Sequence, residues 1–508
     1  MGQCSTDLPG QRRRRCKLVE SVRLERKRGF VPGGGITFHR GRPDTLDRHQ
    51  PHQNQIRHGC GRGESDRRKI SPPGWSMMKV PRTRRELLTP KGRARLGGVN
   101  GGGGGVRLPF GTPISFPGDS IIANGFSLTT NRAWETVRGW HVWANALANS
   151  PFRLMGKSNA GVGGNTSAQL LARYDTDVIA FNPGAAHIHI GINDLLAATA
   201  SATTLANITA MIAKNRAIGA FTFVNKMLPY GSTALPMNGP QIALWEATNN
   251  GIAAMAADDV VVLDFEPVIG NMDAAHTMKD GYSGDSPQLH PNQTAAYLMA
   301  KVVRDAYLAH SIPGENLFTT NNDPANFAAN GFLTGTTGTV SGATGQVATG
   351  WTGAGAAAGG ATVAYSKVAR SDGFGEWQQI AVSGTYTGTG KIARISRAIP
   401  VTGLLSTGDV VQIGCEIQVD ATQTAVSSFR AGFTQGADSV YAFAGNNTDP
   451  VQEAWSGVIM SVPFAITATP TTVSVELGIL LKDTATTDAC AASVRFGRYQ
   501  IEKLASLN

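Results

Sequence analysis

Four short polar segments carry the kinds of side chain that acyl transfer requires. They are Gly118-Asp119-Ser120, Asn159 to Thr166, Gly191-Ile192-Asn193-Asp194 and Asp285 to Asn292. Acyl transfer needs a hydroxyl nucleophile, an imidazole base and hydrogen-bond donors for an oxyanion. Ser120, His290 and the amide groups of the second and third segments supply one such set. The sequence therefore predicts an acyl-transfer site, provided that the fold brings the four segments together.

The pattern around these segments predicts an α/β fold with a parallel sheet. Apolar strands are expected at 114–116, 152–155, 186–190, 221–224 and 260–265, and helices at 134–149, 167–174, 204–218, 241–256 and 293–308. Strands that alternate with helices at this spacing form a parallel sheet covered on both faces, and ligands bind at the carboxyl ends of its strands. Three of the polar segments follow a predicted strand, so we expect them to meet at one edge of the sheet.

The order and spacing of the four segments resemble the SGNH or GDSL hydrolase family over residues 106–312. Each segment alone is weak, and Gly-Asp-Ser recurs at residues 284–286. Their common order, with the histidine just before the last helix, makes the combination specific. The resemblance implies a three-layer α/β/α, flavodoxin-like hydrolase domain that cleaves esters and needs no cofactor.

The resemblance also implies a role for each matching residue. Ser120 is the nucleophile, at a strand-to-helix turn whose backbone N–H also serves the oxyanion hole. Gly164 is the second oxyanion donor, through a backbone N–H that a side chain would obstruct. Asn193 is the third, through its side-chain amide. His290 accepts the Ser120 proton and delivers it to the leaving alcohol.

The residue that orients the histidine departs from the family pattern. The family places an aspartate three residues before the histidine, but Pro287 stands there and has no carboxylate. We expect Asp285 to replace it, on the hypothesis that the proline re-routes the loop. Asp280 and a backbone carbonyl are the alternatives.

Each of these residues also has a purely structural interpretation. Serine commonly caps helices, as Ser120 would, and asparagine commonly occupies left-handed turns, as Asn193 would. His290 would then lie in an ordinary loop before a helix. That interpretation requires several independent coincidences, so the catalytic one is favoured.

Other polar residues of this region indicate no second chemistry. His187 and His189 alternate along a buried strand, and they and Asp264 are interpreted as structural. No H-E-x-x-H, no zinc-spaced cysteines and no G-x-S-x-G around Ser120 occur. No metal and no cofactor are predicted.

The basic charge of the chain belongs to its first 105 residues. They hold 24 of the 46 Lys and Arg residues and 8 of the 36 Asp and Glu residues, whereas the whole chain has a formal net charge of +10. This Arg-rich, apolar-poor segment is predicted to be disordered, and it lacks the apolar stretch of a signal peptide. It is either an arm for anionic surfaces or the product of a start assigned too early, with Met77 or Met78 as the true start. The second interpretation is favoured, so nucleic acid is not an expected partner.

Residues 313–508 are predicted to form an antiparallel β-sandwich, because apolar residues alternate there at positions 411–419 and 473–479. Segments 316–318, 350–351 and 494–501 resemble a jelly-roll carbohydrate-binding module. By that resemblance, one or two exposed rings would stack on sugars, the candidates being Trp351, Trp377, Tyr386, Tyr441 and Trp455. Packing inside the sandwich is the commoner fate of such rings. Cys415 and Cys490 either pair, if the chain is exported, or remain buried thiols.

Together these features favour a serine esterase that removes acyl groups, above all acetyl, from a carbohydrate that the C-terminal region holds. One alternative is a non-catalytic glycan-binding protein of a phage tail or cell surface. Another is a hydrolase of lipid or thioester acyl chains that uses the same site. No apolar run is long enough to cross a membrane. The compartment stays open, with an extracellular or virion-associated location as one hypothesis, and so does the oligomeric state.

Overall fold

A computed structural model describes residues 106–129, 132–321, 323–444 and 451–506. The basic leader, residues 1–105, lies outside the described residues, and so do the predictions made for it. None of the helices in the described part of the chain combines the length and the apolarity that crossing a bilayer requires.

The described chain up to residue 312 alternates strands with helices. Its strands are β1 (Thr112–Gly118), β2 (Phe126–Thr129), β3 (Arg132–Thr136), β4 (Phe152–Gly161), β5 (Ala185–Ile188), β6 (Phe221–Asn225) and β7 (Val260–Leu263). Its helices are α1 (Ser120–Ala123), α2 (Trp140–Leu147), α3 (Ser167–Asp177), α4 (Ile192–Leu196), α5 (Ser201–Ala217), α6 (Gly239–Ala253), α7 (Glu266–Ile269) and α8 (Gln293–His310). A single 3-10 turn covers Ile179–Phe181.

Five of these strands form one parallel sheet, which confirms the predicted α/β class. The strand order is β4-β1-β5-β6-β7, and each neighbouring pair is parallel. β1 is buried along its whole length, as a strand covered on both faces should be. The chain passes from β1 to β4 on one side and later to β5 on the other, so the strand order reverses between β1 and β5. Open α/β sheets bind ligands outside the carboxyl ends of the strands at such a point.

Local hydrogen bonds fix where two of the longer helices begin. The Thr166 side chain accepts from the N–H of Gln169, and the Gln169 side chain accepts from the N–H of Thr166, at the start of α3. Asn238 and Gln241 repeat this arrangement at α6. Such reciprocal bonds pair N–H groups that a helix start leaves free. They anchor α3 directly after the second polar segment.

The rest of the described chain is β-rich. Its strands are β8 (Thr339–Ser341), β9 (Thr344–Gly345), β10 (Thr352–Ala354), β11 (Thr362–Ala369), β12 (Glu376–Gly388), β13 (Ile392–Pro400), β14 (Val410–Thr424), β15 (Val426–Gln435), β16 (Asp438–Ala444), β17 (Trp455–Met460), β18 (Phe464–Ala465), β19 (Thr472–Leu481) and β20 (Thr484–Leu504). One sheet has the order β2-β3-β16-β15-β19-β13-β10-β8, and the other has the order β17-β14-β20-β12-β11-β9, with β18 beside β14. The long strands pair antiparallel, which confirms the predicted antiparallel architecture.

The predicted helix at 134–149 is wrong over its first part, because α2 begins only at Trp140. Strand β3 lies there instead and pairs antiparallel with β2 as a hairpin. β3 pairs in parallel with β16, so this hairpin extends a sheet of the C-terminal region. A partner about 300 residues away in sequence, which local periodicity does not reveal, decides the conformation of this segment.

Side chains on both sides of residue 312 share one hydrophobic core. The ring of Trp143 lies edge-on to Phe443 and to Trp455, at centroid distances of 4.7 and 4.9 Å. The Ser150 hydroxyl donates a hydrogen bond of 2.7 Å to the carbonyl of Val458. Helix α2 and the residues that follow it therefore pack directly against the β-rich region.

The prediction of one or two exposed aromatic rings in the β-rich region is wrong. Trp351, Tyr386 and Trp455 are buried, and Trp377 and Tyr441 are half-buried. The guanidinium of Arg370 lies 4.1 Å from the ring centroid of Trp377, and that of Arg430 lies 4.6 Å from that of Tyr441. Each of these two rings thus has one face covered by a cation. None of the five candidates is an exposed platform for a sugar.

The two cysteines of the β-rich region are unpaired. Cys415 and Cys490 are both buried free thiols. Of the two predicted alternatives, the structure shows the one without a disulfide.

Candidate active site

Ser120 lies just beyond the carboxyl end of β1. The strand ends at Gly118, Asp119 occupies the N-cap of α1, and Ser120 is the first residue of that helix. The Asp119 carboxylate accepts a hydrogen bond of 2.9 Å from the N–H of Ile121. The capping residue is therefore Asp119, and the interpretation of Ser120 as a helix cap is wrong. The Ser120 hydroxyl remains available for another partner.

A hydrogen-bonded line of three side chains starts at Ser120. His290 Nε2 lies 2.7 Å from Ser120 Oγ, and His290 Nδ1 lies 2.5 Å from Asp285 Oδ2. Asp285 thus occupies the position behind the imidazole for which the sequence left three alternatives. The Asp280 carboxylate instead accepts a hydrogen bond of 3.1 Å from the Gln288 side chain.

Several donors converge on the Asp285 carboxylate. It accepts from the Ser283 hydroxyl at 2.5 Å and from the N–H groups of Leu289 and His290 at 3.0 Å each. Partial burial would raise the pKa of Asp285, but the hydrogen bonds outweigh burial and lower the pKa to about 2. The carboxylate is therefore charged near neutral pH. A charged carboxylate at Nδ1 favours the tautomer in which Nε2 can accept a proton from Ser120.

Gly164 and Asn193 lie at the same edge of the sheet. A methyl group built on Gly163 would lie 3.9 Å from the Cβ of Ser120, so the loop that contains Gly164 borders Ser120. Gly164 has a φ of +76°, in the left-handed region that favours glycine. The Asn193 side-chain amide donates a hydrogen bond of 2.9 Å to the carbonyl of Asn165, in the same loop. Asn193 belongs to α4, so its interpretation as a left-handed turn residue is wrong.

Comparison with known families matches this part of the chain. Residues 116–296, which contain all four polar segments, match the model of the GDSL-like lipase/acylhydrolase family. This region is a GDSL-like lipase/acylhydrolase domain. The family resemblance predicted from the four segments is therefore confirmed.

Solved structures also align with part of this chain. A protein of the G-D-S-L lipolytic family from Desulfitobacterium hafniense is 23% identical, with 38% of this chain and 98% of that chain covered and a TM-score of 0.31. TesA is 27% identical, with 38% and 95% covered and a TM-score of 0.30. The acetyl xylan esterase AlAXEase is 15% identical, with 39% and 99% covered and a TM-score of 0.30. No curated protein sequence matches the chain.

The GDSL domain buries a second carboxylate directly beside Ser120. The Asp119 side chain is fully buried, and its Oδ2 has no hydrogen-bond partner among the described residues. Burial raises the pKa of Asp119 to about 7, against the effect of its bond from the N–H of Ile121. Asp119 is therefore a much weaker acid than Asp285, because the Asp119 carboxylate is buried and the Asp285 carboxylate is surrounded by donors.

His187 and His189 take part in a buried polar chain below the sheet edge. His187 Nδ1 lies 2.9 Å from the Tyr307 hydroxyl, and its Nε2 lies 2.7 Å from the side-chain carbonyl of Asn225. The Asn225 amide nitrogen lies 2.8 Å from His189 Nδ1. Burial lowers the pKa of both histidines to about 3, so both are neutral. This arrangement agrees with the structural interpretation of the two residues.

Two further polar residues support the GDSL domain around the site. Asp264, interpreted as structural, accepts from the Lys226 ammonium at 2.7 Å and from the N–H of Glu266 at 3.0 Å. Arg173, in α3, was not predicted from the sequence, yet it hydrogen-bonds the segments around Ser120. Its only sequence signal is its position in the helix that follows the second polar segment.

Proposed function

We propose that this protein is a serine esterase that removes O-acetyl groups from a carbohydrate through an acyl-enzyme on Ser120. The observation that supports this most directly is the hydrogen-bonded line from Ser120 through His290 to Asp285. It lies within a GDSL-like lipase/acylhydrolase domain, at the edge of the sheet where such folds bind ligands.

In the first half of the reaction, Ser120 Oγ attacks the ester carbonyl carbon while its proton passes to His290 Nε2. The carbonyl oxygen becomes an oxyanion, to which the backbone N–H groups of Ser120 and Gly164 and the Asn193 amide donate. Asp285 stabilises the imidazolium. The C–O bond to the sugar then breaks, and the sugar hydroxyl leaves with the proton from His290.

In the second half, water replaces the sugar as the attacking group. His290 takes a proton from the water as its oxygen attacks the acyl carbon on Ser120. The bond between the acyl carbon and Ser120 Oγ breaks, and the proton returns from His290 to Ser120. Acetate and the free enzyme are the products.

A polymer-borne acetyl group is supported by the exposure of the site. The side chains of His290 and Asp285 are 22% and 35% exposed, so the line is open to solvent. An acyl group that projects from a bulky carbohydrate chain can reach such a site without threading through a tunnel. The proposal assigns no sugar contact to the five aromatic rings of the β-rich region, since none is exposed.

The proposal is tested with Ser120→Ala. p-Nitrophenol release from p-nitrophenyl acetate and acetate release from acetylated xylan should both fall by about 10⁴-fold or more, because the nucleophile is lost. Ser286→Ala is the matched control, since Ser286 belongs to the second Gly-Asp-Ser and should leave the rate near wild type. Equal activity in wild type and Ser120→Ala would contradict the mechanism. Faster cleavage of long-chain nitrophenyl esters than of acetate would contradict the proposed acyl group.

The orienting role of Asp285 is tested by comparing Asp285→Asn with Asp280→Asn. Asp285→Asn should lower kcat by about 10⁴-fold, because an amide at this position favours the wrong imidazole tautomer. Asp280→Asn should stay near wild type. A larger loss in Asp280→Asn than in Asp285→Asn would show that the assignment is wrong.

A further inference from the structure

The three proposed oxyanion donors stand on three separate pieces of chain. Ser120 follows β1, Gly164 lies in the loop after β4, and Asn193 lies in α4. A tetrahedral oxyanion is stabilised only if its donors hold their positions relative to one another before the reaction. Some part of the structure must therefore tie the three pieces together.

Arg173 makes this connection with one guanidinium group. Its Nη2 donates a hydrogen bond of 2.9 Å to the carbonyl of Gly118, two residues before Ser120. Its Nη1 donates a hydrogen bond of 2.8 Å to the carbonyl of Ala160, near the end of β4. Its Nε donates 2.8 Å to the side-chain oxygen of Asn165, next to Gly164. The first two proposed donors are thus tied to one rigid group.

Asn165 extends the connection to the third donor. While its side chain accepts from Arg173, its backbone carbonyl accepts the 2.9 Å hydrogen bond from the Asn193 amide. The N–H of Asn165 donates to the carbonyl of Val162 at 3.2 Å, which closes the loop around Gly164. The N–H of Val162 in turn donates a hydrogen bond of 3.1 Å to the carbonyl of Gly118. Every segment that carries a proposed donor is therefore within two hydrogen bonds of Arg173.

We propose that Arg173 is the positioning residue that sets the oxyanion hole, by holding the segments of Ser120, Gly164 and Asn193 in one fixed arrangement. This inference rests on the proposed esterase function. Arg173 does not touch the substrate; it acts through Gly118, Ala160 and Asn165.

The chemistry of arginine suits this role better than that of lysine. The guanidinium is planar, and its donors point in fixed directions, whereas a lysine ammonium is a compact group on a flexible stem. The Arg173 side chain is only 18% exposed, so water competes weakly for its acceptors. A fourth hydrogen bond, 2.9 Å to Asp177, orients the guanidinium from within its own helix.

The test compares Arg173→Lys with two control variants. Arg173→Lys keeps a cation near Asp177 but loses the planar group that donates in fixed directions. The kcat on p-nitrophenyl acetate should therefore fall by about 10 to 100-fold, because small misplacements of catalytic groups cause losses of this size. Lys214→Gln breaks an ion pair with Asp175, also in α3, and leaves all the Arg173 bonds, so its kcat should stay within about two-fold of wild type. Arg216→Lys makes the same substitution at a more exposed pair, with Asp259, and should also be neutral.

A second readout separates positioning from general damage. If Arg173 sets the oxyanion hole, Arg173→Lys should weaken inhibition by a trifluoromethyl ketone, which forms a tetrahedral adduct, by the same factor as kcat. KM and the melting temperature should change little. If Arg173→Lys does not fold, Asn165→Ala replaces it and should show the same parallel loss, about 10-fold, because one of the three site bonds is removed.

The outcomes distinguish this inference from the proposed function. An active wild type whose Arg173→Lys or Asn165→Ala variant keeps both kcat and ketone inhibition would overturn the role of Arg173 and leave the esterase standing. A loss of kcat that merely equals the fraction of unfolded enzyme would also overturn the role of Arg173. A wild type without esterase activity, or esterase activity that survives Ser120→Ala, would overturn both the proposed function and the role of Arg173.

Discussion

The two regions of this protein bury ionisable side chains in opposite ways. In the GDSL domain, Asp119 and His187 are fully buried without an opposite charge. Burial raises the pKa of Asp119 to about 7 and lowers that of His187 to about 3, so both tend to the neutral form. In the β-rich region, the carboxylate of Glu416, whose side chain is 12% exposed, lies between the guanidinium groups of Arg370 and Arg498. Burial alone would raise the pKa of Glu416, but the two cations outweigh it and lower the pKa.

The difference shows that buried ionisable side chains serve a different purpose in each region. Charges that pair inside the β-rich region hold strands together, since Arg370 follows β11, Glu416 lies in β14 and Arg498 lies in β20. His187 and His189, which are neutral near pH 7, fill space below the GDSL site without adding charge near Ser120. The charge that the proposed reaction needs is instead kept on Asp285, where donors and solvent stabilise it.

The largest expected effect follows from removing the shared charge of the β-rich region. Glu416→Gln leaves Arg370 and Arg498, which are 3% and 6% exposed, without their common anion. Each arginine keeps one more exposed partner, Asp372 or Glu315, but loses the carboxylate that it holds inside the protein, so the free energy of unfolding should fall by about 3 kcal/mol in urea titrations. The kcat of the folded fraction should stay unchanged, because the change lies outside the GDSL domain.

Glu315→Gln is the control for this variant. Glu315 also pairs with Arg498, but its side chain is 42% exposed, so the loss should remain below about 1 kcal/mol. Equal losses in the two variants would mean that burial does not distinguish the two pairs.

The next effect is spread over several pH units and concerns His187, which is buried without an opposite charge. The folded pKa of His187 lies near 3, below its ordinary value of 6.5, so below pH 6.5 the unfolded chain binds a proton that the folded chain does not. The titration of His187 therefore leaves the free energy of unfolding unchanged above pH 6.5 and lowers it as the pH falls below 6.5, by up to about 1.4 kcal/mol per pH unit. His187→Gln should flatten the pH dependence of the unfolding free energy by that slope between pH 6.5 and 4. Parallel curves for variant and wild type would show that His187 titrates normally.

The smallest effect has the opposite sign and a slightly narrower pH range. Asp119 is protonated in the folded state below about pH 7, whereas the unfolded carboxylate ionises near its ordinary value of 3.8. The contribution of Asp119 to stability therefore falls as the pH rises from about 4 to 7. Asp119→Asn does not titrate, so its stability relative to wild type should increase steadily over that range. A constant difference across the range would mean that Asp119 is ionised when folded.

The architecture could be predicted from the sequence because most of its signals are local. The five parallel strands begin within two residues of their predicted starts, since short apolar runs separated by helical periodicity mark them, although β4 runs to Gly161, beyond its predicted end. Parallel strands place their carboxyl ends at one edge, which is why the segments of Ser120 and Asn193 could be expected to meet. The structure brings Ser120, His290 and Asp285 into one line, while their catalytic roles remain predictions.

The features that could not be predicted depend on distant partners. Arg173 bonds main-chain carbonyls 13 and 55 positions away, and no motif marks a residue whose partners are backbone atoms. The start of α2 was misplaced because β3 pairs with β16. The sequence also did not indicate that Arg370 covers one face of the Trp377 ring, because this contact depends on how the strands pack.

The hairpin of β2 and β3 has a consequence for how the protein could be divided or recombined. It leaves the GDSL domain a few residues after Ser120 and completes a sheet built mostly from residues beyond 339. A chain that stops at residue 312 would retain a two-stranded ribbon without its neighbour, and the remainder would expose the edge of β16. Unpaired strand edges invite association with other chains. The two regions are therefore expected to be inherited, expressed and engineered as one unit.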